Sequence, residues 1–318
     1  YLKRRQRLEY DPNTEVMVTV GGSEAIDIAL RAMLNPGDEV LIPQPSYVSY
    51  VPCTVLAGGT PVIIELEEKD EFRLTPEKLL EKITPKTKVL ILPFPNNPTG
   101  AIMNRTDLEA IAKVIEEKDL FVLSDEIYSE LTYSGKHVSI AEISGMRDRT
   151  VLINGFSKAY AMTGWRIGFI AGPEWIVKAC NKLQGQYTSG PCSVSQKAAE
   201  AAYTGSQAPV EEMRQAFERR RDLIVKLAKE VPGFEVNVPE GAFYLFPKCS
   251  SFFGKSVGDR KIENSDDLAM YLLEDAHVAC VGGTSFGAPE CIRMSYATSD
   301  ENIVEAIRRI KEALAKLK

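Results

Sequence analysis

Three cationic side chains stand in apolar stretches of this sequence, where a charge needs a chemical reason to be. Lys158 lies in a segment of small and aromatic residues, Arg166 lies between Trp165 and Ile167 at the start of a predicted strand, and Arg293 lies within another predicted strand. We expect both arginines to be partly buried. A desolvated lysine amine can form a Schiff base with an aldehyde, and a partly buried guanidinium needs an anionic partner. A solvated lysine and arginines paired with protein carboxylates are the ordinary alternatives.

Other residues with chemical potential follow predicted strands. Asp125 ends an apolar strand, and the residues after it, Glu126 to Tyr128, are poorly suited to a simple polar turn. A helix N-cap is the alternative role for Asp125. The pair Gly21-Gly22 falls between a strand and a helix, where free backbone amides bind anions, although such a turn can also be purely structural. Its spacing matches neither a P-loop nor a dinucleotide-binding loop.

The elements that position these residues alternate between short β-branched runs and helical patterns, which predicts an α/β fold. We expect a mostly parallel seven-stranded sheet with helices on both faces. The predicted strands are Val16–Val20, Glu39–Ile42, Pro61–Glu65, Val89–Pro93, Leu120–Ser124, Val151–Asn154 and Ile167–Ala171. Ligands bind beyond the carboxyl ends of parallel strands, so the residues that follow the strands should meet at one edge of the sheet.

The pattern divides the chain into a large domain (1–208), a linking helix (209–231) and a small α+β domain (232–318). In the small domain we predict strands at Phe234–Val238, Ala242–Pro247, Val278–Val281 and Cys291–Tyr296. A capping box formed by Thr106 and Glu109 is predicted to start a helix of the large domain. The basic run Arg219–Arg221 is predicted to be a solvated helix face.

Composition excludes several classes of function. The 318 residues carry a net charge of −6, with no basic patch typical of nucleic-acid binding. No apolar stretch approaches the length of a membrane span, and no signal peptide is evident. Two histidines leave little material for a histidine-based triad or metal site, and six scattered cysteines indicate reduced thiols. We expect a cytoplasmic protein without a metal, nucleic acid or membrane partner.

Four segments together resemble the class I/II aminotransferases, the fold-type I pyridoxal-phosphate-dependent enzymes that include aspartate and aromatic aminotransferases. The resemblance covers essentially the whole chain. The segments, in the family's order, are Asn97–Gly100 (NPTG), Ser124–Tyr128 (SDEIY), Ser157–Gly168 (SKAYAMTGWRIG) and Ile292–Tyr296 (IRMSY). The third segment is the most specific, because it resembles the cofactor-lysine segment with the phosphate-binding arginine eight residues later.

The resemblance implies roles for residues around the pyridine ring of pyridoxal 5′-phosphate. Lys158 would hold the cofactor as a Schiff base and carry the proton between the substrate Cα and the cofactor C4′. Asp125 would pair with the protonated ring nitrogen and so hold the ring as an electron sink. Asn97 and Tyr128 would hydrogen-bond the phenolic oxygen of the ring, and Tyr47 would stack on its face.

The resemblance also implies how the phosphate is held. Gly22, Ser23 and Glu24 would bind it through backbone amides and a hydroxyl, Arg166 through a bidentate contact, and Ser157 as a further candidate.

For the substrates, the resemblance implies an L-amino acid, aspartate or an aromatic one, and a 2-oxo acid such as 2-oxoglutarate, in a ping-pong reaction. Arg293 would bind the α-carboxylate, with Asn97 and Tyr47 beside it. Some aspartate-preferring relatives carry a lysine where this chain has Ser23, which disfavours an aspartate assignment. The family also implies a homodimer, and an N-terminal part of the small domain that would precede Tyr1.

Two other functions remain open on the same scaffold. One is a β-eliminating carbon–sulfur lyase, which would release pyruvate from cystathionine without a 2-oxo acid acceptor. The other is a ligand sensor fused to a DNA-binding module, although the sequence has no helix-turn-helix segment.

Overall fold

A seven-stranded sheet forms the centre of the large domain in the computed structural model, which describes residues 1–318. Its strands are β1 (Val16–Thr19), β2 (Glu39–Gln44), β3 (Thr60–Glu65), β4 (Thr87–Leu92), β5 (Phe121–Asp125), β6 (Thr150–Gly155) and β7 (Gly168–Ala171). Their order across the sheet is β1-β7-β6-β5-β4-β2-β3. All seven predicted strands are present, and the predicted fold class is confirmed.

Strand β7 runs antiparallel to both of its neighbours, β1 and β6, while the other pairs are parallel. The start of β7 therefore lies at the same edge of the sheet as the carboxyl ends of the other strands. Gly168, its first residue, pairs with Thr19 of β1 and with Gly155 of β6. This reversal brings Arg166, two residues before β7, to the edge where ligands bind in such sheets.

Helices cover both faces of this sheet because alternate strand residues point to opposite sides. Leu41, Leu90 and Val122 belong to the apolar core on one face, and their neighbours Val40 and Leu123 belong to the core on the other face. The helices of the large domain are α1 (Leu2–Gln6), α2 (Gly21–Met33), α3 (Tyr50–Leu56), α4 (Pro76–Lys82), α5 (Arg105–Glu117), α6 (Glu174–Tyr187) and α7 (Ser193–Thr204).

The predicted capping box of α5 is wrong by two residues. Asn104 is the N-cap: its side chain accepts a hydrogen bond from the amide of Asp107, whose carboxylate accepts one from the amide of Asn104. Asn104 has an extended backbone at this point, as an N-cap requires, while Thr106 already lies inside the helix. The pairs Asn104–Asp107 and Thr106–Glu109 both have the spacing of a capping box. The point at which the chain enters the helix selects Asn104–Asp107.

The C-terminal part contains a three-stranded antiparallel sheet of order β11-β12-β8 and a two-stranded hairpin. Its elements are α8 (Ala208–Lys229), β8 (Tyr244–Leu245), β9 (Ser256–Val257), β10 (Arg260–Lys261), α9 (Ser265–Asp275), β11 (Val281–Gly282), β12 (Ile292–Ser295) and α10 (Asp300–Leu314). The predicted strand Phe234–Val238 is wrong. Only an isolated bridge between Glu235 and Lys248 forms there, and Val238, next to a proline, is 52% exposed.

The predicted solvated face Arg219–Arg221 is wrong for Arg221. Its guanidinium lies 5.1 Å from the centre of the Tyr133 ring and donates to the carbonyl of Pro239 at 2.9 Å. The side chain is 13% exposed. Helix α8 therefore packs against the large domain, and we propose it as the link between the two predicted domains.

No helix in the structure has the length and apolar character needed to cross a bilayer.

Candidate active site

A cavity of about 360 Å³ lies at the carboxyl edge of the large sheet and is closed by residues of the C-terminal part. Ten of the eleven predicted site residues line it: Gly22, Ser23, Tyr47, Asn97, Asp125, Tyr128, Ser157, Lys158, Arg166 and Arg293. Nine of them lie at the ends of six strands of the large sheet, and the tenth, Arg293, lies within β12 of the C-terminal part. The shared direction of the parallel strands and the reversal of β7 bring them together.

Asp125 ends β5 and is buried, with 7% of its surface exposed. One carboxylate oxygen accepts a hydrogen bond from the hydroxyl of Tyr50 at 2.8 Å, and the other accepts one from the amide of Ile127 at 3.2 Å. Burial raises the pKa of Asp125, and these two donors act against that rise. The hydrogen bond from the amide of Ile127 is the kind of local contact expected if Asp125 served only as an N-cap. Asp125 also lines the cavity, however, so its carboxyl group is available to a ligand.

Lys158 follows β6, is half-buried and forms no ion pair with a carboxylate of the chain. Its amine lies 5.7 Å from the ring centre of Tyr128 and 5.5 Å from that of Phe243. Burial, followed by the positive charges of Arg293 and Arg166, lowers the pKa of Lys158. A lowered pKa increases the neutral fraction of the amine, which is the nucleophilic form.

Arg166 precedes β7 and is exposed, so the prediction that it is partly buried is wrong. It has a left-handed backbone (φ 50°), and one guanidinium nitrogen donates to the carbonyl of Thr163 at 3.1 Å. The guanidinium lies over the start of α2: a Cβ on Gly21 would fall 2.5 Å from Arg166 Nη2. Gly21, with φ +75°, therefore permits a guanidinium and the first amides of a helix to face one anion.

Arg293 lies on β12 and reaches the cavity from the C-terminal part. It donates to the side-chain oxygen of Asn97 at 2.9 Å, and its guanidinium lies 4.5 Å from the Tyr244 ring centre and 4.7 Å from that of Phe286. No carboxylate of the chain lies within ion-pair distance of Arg293 or of Arg166. Neither arginine therefore forms the structural ion pair that was the alternative role. Both guanidinium groups retain N–H donors for a ligand.

The remaining contacts in the cavity are between tyrosines. The hydroxyls of Tyr128 and Tyr244 lie 2.9 Å apart, and burial raises the pKa of both phenols. Tyr47 packs edge-on against Tyr50, with ring centres 5.6 Å apart.

Glu24 is the one predicted site residue that does not line the cavity. Its carboxylate accepts hydrogen bonds from the amide of Val20 and from the side chains of Gln184 and Thr188. A role for its backbone amide stays a prediction.

A larger cleft of about 800 Å³ lies elsewhere, between the N-terminal segment and α7. It contains none of the predicted site residues. Four charged side chains line it, and they pair with one another, Lys3 with Glu9 and Lys197 with Glu200. Because unpaired cations around a buried carboxylate are better suited to chemistry than a mostly apolar surface, the smaller cavity is the candidate site.

Comparison with known proteins identifies the family of this chain. The family described as aminotransferase class I and II matches residues 1–310. The chain belongs to this family. Members of the class I and II aminotransferases are pyridoxal-phosphate-dependent transaminases, so the resemblance given by the four motifs is confirmed.

Individual class I and II aminotransferases are similar to almost the entire chain. An aspartate aminotransferase of Geobacillus stearothermophilus is 48% identical over 98% of this chain and 79% of its own length. The crystal structure of an aspartate aminotransferase from Rhizobium meliloti superposes with a TM-score of 0.95 at 40% identity, covering 100% of this chain and 80% of that one. An aromatic aminotransferase from Pyrococcus horikoshii gives 0.92 at 42% identity, covering 99% and 83%.

The sequence analysis of this aminotransferase missed the lining residue Tyr50, whereas the run Gly241–Tyr244 is expected from the sequence either to line or support the substrate pocket or to be a glycine-rich turn between strands. Tyr50, which holds Asp125, lies within a helix 75 positions away in the chain and carries no local signal. Tyr244 follows Gly241-Ala242-Phe243, and only the folding of the C-terminal part against Tyr128 shows its role. Both are tyrosines whose hydroxyls contact predicted site residues.

Proposed function

We propose that this aminotransferase binds pyridoxal phosphate in the 360 Å³ cavity and moves the amino group of an L-amino acid to a 2-oxo acid such as 2-oxoglutarate. The observation that carries the proposal is the charge pattern: three cations without a carboxylate partner and one buried carboxylate line the same cavity. This pattern suits a ligand with a cationic ring nitrogen, an aldehyde and anionic groups. The cavity volume also suits a single substituted ring with a small substrate.

The residues at the phosphate end fit such a ligand. Arg166 offers free guanidinium donors, and the first turn of α2 offers the amides of Gly22, Ser23 and Glu24. The start of a helix favours negative charge because its amides are unpaired and its dipole points outward. Ser157 supplies a further hydroxyl at the cavity wall.

The residues at the ring end fit as well. Asp125 would hold the protonated ring nitrogen, Asn97 and Tyr128 would bond the phenolic oxygen, and Tyr47 would cover one face. When bound, pyridoxal phosphate supplies the aldehyde that captures an amine and the electron sink that stabilises the substrate carbanion.

Lys158 performs two tasks in this proposal. Its amine would hold the cofactor through the aldehyde, and when free it would carry the proton between the substrate Cα and the cofactor C4′. Both tasks need the neutral amine, and burial and the neighbouring arginines favour that form by lowering the pKa of Lys158.

Arg293 would bind the α-carboxylate of the substrate. Asn97 and the rings of Tyr244 and Phe286 hold the guanidinium in place before the substrate arrives, which reduces the entropy lost on binding. We propose aspartate or an aromatic amino acid as donor, because the relatives include proteins named for each. Ser23 at the cavity wall favours the aromatic class.

We further propose a cytoplasmic homodimer. The six cysteines are free, as in reducing compartments. Large apolar side chains such as Trp165, Tyr187 and Val194 are exposed in the single chain, by 46%, 59% and 67%. Such residues are typical of surfaces that a second subunit covers. Light scattering coupled to size exclusion tests this proposal, and a monomer at micromolar concentration would contradict it.

The decisive experiment is a screen of amino donors against 2-oxoglutarate with the cofactor-loaded enzyme. We expect the cofactor absorbance to convert to the pyridoxamine form with at least one donor and to return when 2-oxoglutarate is added. No conversion with any amino acid would contradict the proposal. Release of pyruvate from cystathionine without a 2-oxo acid would instead favour the carbon–sulfur lyase.

A further inference from the structure

A second carboxylate, Glu126, follows Asp125 directly and is not used by the proposed mechanism. It is 1% exposed, and its two oxygens accept four hydrogen bonds. Ser124 and Ser139 hydroxyls donate to Oε1 at 2.9 and 2.6 Å. Gln6 Nε2 lies 2.6 Å from Oε2, and His137 Nε2 lies 2.8 Å from the same oxygen. With Oε2 as the acceptor, the imidazole donates from Nε2.

The two carboxylates lie on opposite sides of one short stretch of backbone, since successive side chains at a strand end point in opposite directions. Asp125 faces the site cavity, while Glu126 faces a small gap that is also lined by His137 and Ile140. The negative charge of Glu126 contributes, after burial, to the raised pKa of Asp125. The two charges therefore interact through a buried, weakly screening region.

We infer that Glu126 is a positioning residue that fixes Asp125 and adds a second negative charge behind it, so that this end of the cavity favours a ligand with a protonated ring nitrogen. The inference rests on the proposed function. A buried charge is retained only when its donors are well placed, and an apolar residue is often no less stable at such a position. The presence of a buried carboxylate one residue from Asp125 is explained if its charge acts on the ligand.

The four donors come from three separate parts of the chain. Gln6 belongs to α1, Ser124 to β5, and His137 and Ser139 to the segment that follows β5. They fasten the end of β5 on the side away from the cavity. On the cavity side, Tyr50 and the amide of Ile127 hold Asp125 itself. The orientation of Asp125 is thus fixed from both sides of the strand.

The test separates charge from scaffolding by comparing two ligands of the apoenzyme. One is pyridoxal phosphate, and the other is its analogue with carbon in place of the ring nitrogen. Glu126→Gln keeps the shape of the side chain, and the serine hydroxyls and the imidazole can rearrange their protons to satisfy the amide. We expect affinity for pyridoxal phosphate to fall about tenfold, the equivalent of one pKa unit at the ring nitrogen, and affinity for the analogue to stay within about twofold.

An equal loss for both ligands, or no loss for either, would overturn the inference. Glu130→Gln is the matched control, because it removes a carboxylate four residues along that pairs with Arg5 and not with the strand end; both affinities should match the wild type. Glu126→Asp keeps the charge and should keep the preference for pyridoxal phosphate even if thermal stability falls, so loss of that preference would also overturn the inference. If the wild type binds neither ligand, the proposed function fails as well.

Discussion

The site draws on two regions that are built differently. The cofactor half comes from the edge of a seven-stranded sheet. Two of its strands, β2 and β3, pair over six residues. The substrate half, with Arg293 and Tyr244, comes from a sheet whose strand pairs match only two residues each. The first region is held by long ladders of hydrogen bonds, and the second is held mainly by side-chain packing.

This difference indicates how cofactor binding and substrate binding are divided between the two regions. Groups at the ends of long paired strands have little freedom, which suits a cofactor that must stay in one orientation. Arg293 instead depends on Asn97 across the cavity and on two aromatic rings for its position. We therefore expect changes in the sheet region to affect the cofactor and changes in the C-terminal region to affect the substrate.

The largest effect is expected from Lys158→Ala. Without the amine, the Cα proton has no acceptor, and turnover should fall by about 10⁴-fold. Cofactor should still bind through its phosphate, but borohydride should no longer attach it covalently, as mass spectrometry would show. Lys118→Ala, at an exposed position, is the control and should behave as the wild type. Wild-type turnover in the first variant would refute the assignment.

Asp125→Asn should have the next largest effect. It removes the partner of a buried ring cation, and cofactor affinity should fall by about 10²- to 10³-fold because an unpaired buried charge is strongly unfavourable. Equilibrium titration of the apoenzyme measures this. The exposed Asp119→Asn should leave affinity unchanged. If Asp125→Asn raised KM for the amino acid but left cofactor affinity intact, the division between the two regions would be wrong.

Arg293→Lys should have the opposite pattern to Asp125→Asn, with an effect on substrate binding and none on cofactor binding. Lysine keeps the charge but lacks the planar fork that binds a carboxylate through two bonds, so KM for the amino donor should rise about 10- to 100-fold. Cofactor affinity should remain as in the wild type. Steady-state kinetics and cofactor titration on one preparation measure both quantities, with Arg105→Lys as an exposed control. Weaker cofactor binding would contradict the prediction.

A smaller effect links the two regions through charge. Arg293 is the larger of the two cationic contributions that lower the pKa of Lys158. Because a nearby positive charge disfavours the ammonium form, Arg293→Gln should raise that pKa and reduce the neutral amine at a given pH. The pH midpoint for the rate of cofactor capture by the apoenzyme should therefore move upward. A midpoint that is unchanged or lower would show that Arg293 does not lower the pKa of Lys158.

The smallest effect should be confined to the C-terminal region. Tyr271 is fully buried, and its hydroxyl donates to the carbonyl of Ala313 at 2.9 Å. Tyr271→Phe should lower the free energy of unfolding by about 1 kcal/mol, as measured in urea, without altering cofactor affinity. A change in cofactor affinity would mean that the packing of α9 against α10 reaches the sheet edge.

Most of the candidate site was predictable because its residues stand at strand ends. Short apolar, β-branched runs locate the strands, and the rule for parallel sheets then brings the groups at their ends to one edge, as it does for Asn97, Asp125 and Lys158. The small domain was harder to predict. Its strands are two to four residues long, which is too short for a pattern, and the stretch Phe234–Val238, in which apolar and polar residues alternate, does not form a strand.

By itself, the sequence determined the order of the elements, the identity of the reactive groups and the edge at which they gather, since these depend on local patterns of hydrophobic and turn-forming residues. Tertiary structure decided the reversal of β7 that exposes Arg166 at this edge, the bond from Tyr50 to Asp125, and the four donors around Glu126. These features join positions distant in the chain. Their geometry follows from how whole elements pack, which no local stretch of residues specifies.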